Sequence, residues 1–164
     1  MSTSNTTENE TEPTDGPVPG LLRPPLIFLL AILFGIGLNQ LWPLRFMPSP
    51  LRWLGLVVIS CGLLLFLLSY REFRAAGTPV RGNQRTRTIV RTGPYRFSRN
   101  PIYLSFILLV LGLAICLDDL WLVITLLPAI WLIATAVIPR EERFLEQNFS
   151  DQYSSYKATV RRWL

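Results

Sequence analysis

The chain contains no histidine among its 164 residues. That absence excludes imidazole acid–base catalysis, His-built zinc sites and histidine ligation of haem. Cysteine is nearly absent too: Cys61 and Cys116 each fall inside an apolar block, and no CxxC exists. They are expected as buried small hydrophobes, and no metal site is expected. There is no GxxxxGK, and the lone "GIG" at 35 to 37 lies in an apolar run. Small residues there usually serve helix packing, not dinucleotide binding. A signal peptide is missing as well. Residues 1 to 24 are rich in Ser, Thr, Glu and Pro, carry one basic residue, Arg23, and lead into an apolar run with no cleavage pattern after it. They are expected to form a disordered polar tail.

What fills the chain is apolar: half of its residues, arranged in four blocks at about 25–42, 51–70, 102–117 and 120–138. A helix of about 20 residues crosses a hydrocarbon core of roughly 30 Å. The fold class expected is therefore all-α, an integral membrane bundle of about four spans with a helical C-terminal extension outside the membrane. The third block is the shortest; with the fourth it reads as a hairpin turned at Asp118 and Asp119. One membrane domain over 25–164 follows, with polar regions at 71–101 and 139–164.

The net charge of +5 does not point to nucleic acid, because its distribution follows the spans. Eight arginines and one acid, Glu72, lie between Arg71 and Arg99, whereas the 118–119 turn has two acids and no base. Basic residues flanking spans stay on the cytoplasmic side and attract anionic headgroups. A multi-pass protein of a prokaryotic inner membrane is expected, with both termini and the polar regions cytoplasmic. Arg45 and Arg52 in the 43–52 loop are a mild exception.

The polar segment 71–101 is broken by Gly77, Pro79, Gly82, Gly93, Pro94 and Pro101, with a β-like run at 86–90. The C-terminal stretch has an amphipathic period through Leu145, Phe149, Tyr153 or Gln152, Tyr156 and Val160. The "NFSD" step at 148–151 predicts a break with a new cap at Ser150, so that a short helix folds back.

Two elements stand apart: "TGPYRFSRNPIY" and, one hairpin later, "EERFLEQNFSDQYSSYKATVRRW". In that order and separation they resemble the isoprenylcysteine carboxyl methyltransferase and phospholipid methyltransferase superfamily of membrane enzymes. The resemblance runs from about 71 to 164 and includes "GTPV" at 77–80. It implies transfer of a methyl group from S-adenosylmethionine to a membrane-embedded isoprenoid or lipid-like acceptor, through a carboxylate, thiol or amine. It further implies cofactor contacts from Gly93, Tyr95, Arg96, Arg99, Asn100, Pro101 and Tyr103 in the first element. In the second it implies Glu141, Glu142, Leu145, Tyr153 and Tyr156. Arg99 and Glu142 are the expected catalytic pair, with Arg99 suited to the cofactor's carboxylate and Glu142 or Glu141 to its ammonium or ribose hydroxyls. Asn100 stands where the carboxyl methyltransferase branch has histidine, a departure that counts against that branch but not against methyl transfer.

The same residues have plainer readings. Gly93 and Pro94 can simply form a turn, and Pro101 is favoured at a helix start. Arg96 and Arg99 can anchor to headgroups, and Trp121, Trp131 and Trp163 suit an interfacial belt. Glu141 and Glu142, beside Arg140 and Arg143, can be a solvated charge run. Adjacent helical side chains diverge by about 100°, so one of the two is expected to face a site, with Glu142 favoured. The functional alternative is a non-catalytic membrane protein that binds lipid or assembles partners. A transporter is disfavoured because no ionisable residue interrupts the middle of a span.

Overall fold

The structure is a computed structural model that describes residues 23–76 and 89–164. The N-terminal tail, the "GTPV" stretch and most of the 86–90 run lie outside the described residues. Five helices account for most of the rest, α1 (Pro24–Leu41), α2 (Leu54–Ala75), α3 (Pro101–Leu117), α4 (Leu120–Leu132) and α5 (Ile138–Thr159), and no strand occurs among the described residues. The all-α expectation holds. Three helical stretches, Pro24–Leu41, Ser49–Ala75 and Leu120–Thr159, are long and apolar enough to cross a membrane, while α3 is shorter.

Local chemistry explains the helix ends. Prolines occupy the first turns of α1 and α3, where a missing N–H costs nothing. α2 runs on past its apolar block because neither Gly nor Pro occurs between Tyr70 and Gly77. α4 and α5 form one continuous rod through a π turn at Ile133–Val137, where the Ile138 amide bonds to the Ile133 carbonyl five residues back. Pro139, with no N–H for the carbonyl four residues earlier, accounts for that shift of register.

α2 packs along α3, α1 along α4, and α3 also touches α4. Small residues permit the closest approach. Gly55, Gly62 and Ser69, seven apart, are the buried residues of α2. Gly55 faces Gly112 of α3, and Gly62 faces Ser105. A Cβ on Gly55 would sit 2.5 Å from the Gly112 carbonyl oxygen, one on Gly112 would meet Ile59 Cγ1 at 2.6 Å, and one on Gly62 would meet the Ser105 carbonyl oxygen at 3.1 Å. Between α1 and α4, Gly35 lies as close to Leu122 and Thr125, whose hydroxyl donates to the Ala31 carbonyl at 2.9 Å. Gly37 has open space, so only half of "GIG" serves packing. Phe106 of α3 joins α1 and α2 through ring contacts with Phe28 at 5.3 Å and Phe66 at 5.7 Å.

One end of the bundle is clamped by the hairpin turn. Asp118 adopts the left-handed conformation with φ 55. It accepts from the Phe46 and Met47 amides at 2.8 and 2.6 Å and pairs with Arg52 at 2.6 Å. Asp119 caps α4 by accepting from the Trp121 amide at 2.9 Å. Of the two exceptions in the charge distribution, Arg52 is thus neutralised by the acid of the neighbouring turn, while Arg45 is exposed. Candidate site residues gather at the other end.

Candidate active site

The first element opens with a single 3-10 turn, Gly93–Arg96. Gly93 has φ +58, and a Cβ there would meet Glu72 Cγ at 2.8 Å; conformation and close approach both require glycine. Glu72 accepts a hydrogen bond from the Thr92 hydroxyl, and Phe73 packs edge-on against Tyr95 at 5.2 Å. Tyr95 is buried, and its carbonyl accepts from the Tyr156 hydroxyl of α5 at 2.7 Å. The turn is therefore held by α2 on one side and α5 on the other. Pro101, buried, then starts α3.

α5 bends sharply at Phe149, whose φ of −135° and ψ of 27° are not helical. The predicted break is present, and its consequence is visible in the contacts. Lys157 reaches back to Glu146 at 2.6 Å, and Arg162 to Glu142 at 2.6 Å. A straight helix separates residues by about 1.5 Å each, so neither pair could meet without the fold-back.

At the centre is Glu142, 7% exposed. Its carboxylate pairs with Arg99 Nη1 at 3.0 Å and accepts from Arg162 Nη2 at 2.6 Å and Nε at 3.2 Å. Arg99 also reaches the Tyr153 hydroxyl at 3.5 Å, and its Nε is buried without a partner among the described residues. The terminal residues complete this arrangement through their backbone. The Arg161 carbonyl accepts from the Arg99 amide at 3.0 Å, and the Arg162 carbonyl accepts from Asn100 Nδ2 at 3.0 Å. Trp163 packs against the hydrophobic core, which corrects its reading as a belt residue.

Glu141 is not left to solvent. It accepts from the Tyr103 hydroxyl at 2.6 Å. Both carboxylates are thus engaged by the start of α3, because Arg99 and Tyr103 present two partners one helical turn apart. Burial pushes the Glu141 carboxyl up; the Tyr103 hydrogen bond opposes this and the negative Glu142 adds to it. The Tyr95 phenol is raised by burial and then by Tyr156 and Glu141, Tyr153 by burial and then Glu142, and Tyr156 is pushed up to about 12, chiefly by burial. These tyrosines are neutral hydroxyls and ring faces at ordinary pH, not bases.

Of the residues expected from the sequence, Tyr95, Arg99, Asn100, Tyr103, Glu141, Glu142, Tyr153 and Tyr156 converge in this region. Gly93 and Pro101 shape the chain that carries them. Leu145 is half-buried one turn beyond Glu141, and Arg96 is exposed, outside the Glu142 cluster. Arg162, Glu72 and Ser98 were not singled out. The only signal for Arg162 was the basic ending "RRW"; Ser98, buried, accepts from the Asn100 amide at 3.1 Å.

The fold and site define an all-α membrane protein whose polar residues are concentrated at one end of an apolar bundle. The family described as phospholipid methyltransferase matches residues 51–152, more than half of the chain, and the chain belongs to that family. Membership implies a methyltransferase acting on lipid-like substrates in a membrane. An uncharacterized protein of Haemophilus influenzae is 38% identical over 63 residues, which is 38% of this chain and 100% of that protein. No solved structure matches the chain. The family match takes in Arg99, Glu141 and Glu142 and ends before Tyr153, Tyr156 and Arg162.

Proposed function

We propose that this protein is an S-adenosylmethionine-dependent methyltransferase whose acceptor is a membrane-embedded isoprenoid or lipid-like molecule with a carboxylate, thiol or amine nucleophile. The observation that carries this is the buried Glu142–Arg99 pair, built from the two separated sequence elements at the polar end of an apolar bundle. The donor set suits the cofactor. Arg99 Nε is a buried donor with no acceptor among the described residues, matched to an anionic oxygen such as the cofactor's carboxylate. Glu141 and Glu142 suit an ammonium or ribose hydroxyls, and the neutral rings of Tyr95, Tyr153 and Tyr156 suit adenine or a sulfonium.

When bound, S-adenosylmethionine supplies a methyl group that is already activated, so the chain's task is orientation and exclusion of water. Glu142 fixes the Arg99 guanidinium, and Arg162 holds the outer side of the same carboxylate. Tyr103 fixes Glu141. The fold-back of α5 covers this cluster from the aqueous side. No step requires histidine. The same reading puts the site, with both termini, on the cytoplasmic side of a prokaryotic inner membrane, supported by the arginine excess at this end and the pairing of Arg52 with Asp118 at the other.

Calorimetric titration of the detergent-purified protein with S-adenosylhomocysteine tests the proposal without knowledge of the acceptor. Saturable binding is expected, weakened about tenfold or more in Glu142→Ala or Arg99→Ala, as loss of a charged hydrogen bond predicts. A folded sample that fails to bind, in detergent and in lipid nanodiscs alike, would sink the catalytic reading and leave the non-catalytic lipid-binding alternative.

A further inference from the structure

Beside the Glu142 cluster lies an open hollow of about 380 Å³, lined by Arg91, Arg96, Ser155, Tyr156, Thr159 and Val160. Ligand sites commonly run from roughly 300 to 1,000 Å³, so it admits a group the size of a lipid headgroup. Two guanidiniums line it and no carboxylate does. Neither arginine belongs to an ion pair among the described residues.

The two are prepared differently. Arg91 donates from Nη2 to the Gln152 carbonyl and lies over the Tyr156 ring, 5.9 Å from its centroid. Those contacts fix its plane while leaving further donors among its five. Arg96 is exposed on the wall of the same hollow. Two like charges brought together without an acid form a site that gains from an anion, and a fork of arginines with a serine hydroxyl matches phosphate oxygens.

Depth in the membrane is marked by the neighbours. Phe97, next to Arg96, is 72% exposed, and Leu164 is 69% exposed. Phe97 precedes the start of α3 by four residues, so an exposed apolar side chain and the Arg96 guanidinium flank the beginning of an apolar helix, where arginines reach headgroups. Arg96 is thereby brought to headgroup level.

We infer that this hollow binds a phosphate group of an anionic membrane lipid, at a site that shares Tyr156 with the proposed cofactor region, takes Arg96 from the residues that the resemblance assigns to the cofactor, and does not depend on turnover. A free phosphate ion would satisfy the same chemistry, so the test separates the two sources. Delipidated protein in non-ionic detergent is offered phosphatidylglycerol or phosphatidylcholine of identical chains, and retained lipid is counted by native mass spectrometry. Phosphatidylglycerol is expected to be retained preferentially, and about tenfold more weakly in Arg91→Gln or Arg96→Gln, each losing one charge-assisted contact. Arg96→Lys, which keeps the charge, guards against misfolding and should retain part of the preference.

Arg45→Gln removes the same charge from an exposed position at the other end of the bundle and should leave retention unchanged. Millimolar inorganic phosphate that displaces the lipid would assign the hollow to the free ion; failure to displace it assigns the hollow to the lipid. Equal retention of the two lipids, or an equal loss in Arg45→Gln, overturns the site. Binding of S-adenosylhomocysteine, measured by calorimetry on the same samples, reports the cofactor reading separately.

Discussion

Neutralising Glu142 should cost more stability than neutralising either arginine that it holds. The side chains of Glu142 and Arg99 are 9% and 10% exposed, whereas that of Arg162 is 39% exposed. Glu142→Gln leaves the buried Arg99 charge without its counterion, a loss of about 3–5 kcal/mol. Arg99→Gln is milder, about 1.5–3 kcal/mol for a charged hydrogen bond, because Arg162 still holds the carboxylate at two points. Arg162→Gln acts on a pair largely screened by solvent and should cost no more than about 1 kcal/mol. The double variant Glu142→Gln/Arg99→Gln removes both buried charges together. It should be less destabilised than the sum of its parts, by an amount within the 0.5–3 kcal/mol usual for contacting residues. Reversible chemical unfolding in detergent, followed by circular dichroism, gives all four values. Strict additivity, or an Arg162→Gln cost equal to that of Glu142→Gln, would refute a buried pair organised around the acid.

Gly112→Ala forces a Cβ to within 2.6 Å of Ile59 Cγ1 and should destabilise the α2–α3 seam by about 1–3 kcal/mol, while Gly37→Ala, with open space, should be neutral or slightly stabilising. Thermal melting of the two variants checks this, and equal effects would contradict the packing. Burial raises the Glu141 carboxyl above its ordinary 4.5, so its contribution is full below that value and lost as pH rises through the raised folded value. Stability should therefore fall over that interval in the wild type and less in Glu141→Gln, which still accepts from Tyr103; identical profiles would exclude the effect. Asp118 behaves oppositely: the Met47 amide, with help from Phe46 and Arg52, holds its carboxyl below the ordinary range. Its stabilisation is present above the unfolded value and lost as pH falls through the folded one, so acidification should mimic Asp118→Asn in melting curves.

The parts of this molecule that were legible in the sequence are those set by local chemistry or by membrane thickness. The four apolar blocks became helices near their expected bounds, Pro101 started α3, and the "NFSD" step bent α5 at Phe149. Helix pairing was harder to read, because spans that are apolar on nearly every face carry little periodic information. Its signal lies in small residues seven apart, Gly55 and Gly62 against Gly112 and Ser105, and not in hydrophobicity.

The site was legible in its residue types and less so in its geometry. Treating the partner of Glu141 and Glu142 as a single point led to the expectation that one of them faces away. The start of α3 instead offers Arg99 to one carboxylate and Tyr103 to the other. Arg162 read as a generic basic ending because its role depends on a bend thirteen residues upstream and on Trp163 finding the core, neither of which a local pattern encodes. The charge distribution teaches the same point. Arg52 counted as an exception to an arginine-rich cytoplasmic end only while formal charges were summed along the chain. Paired with Asp118, it adds little net charge to that end of the bundle, where Arg45 is left exposed. The arginines that remain unpaired by any acid, Arg91 and Arg96 among them, are all the more concentrated at the end where the proposed cofactor and headgroup sites lie. On the proposed orientation, unpaired charge, not formal charge, is the quantity that distinguishes the proposed cytoplasmic end from the other.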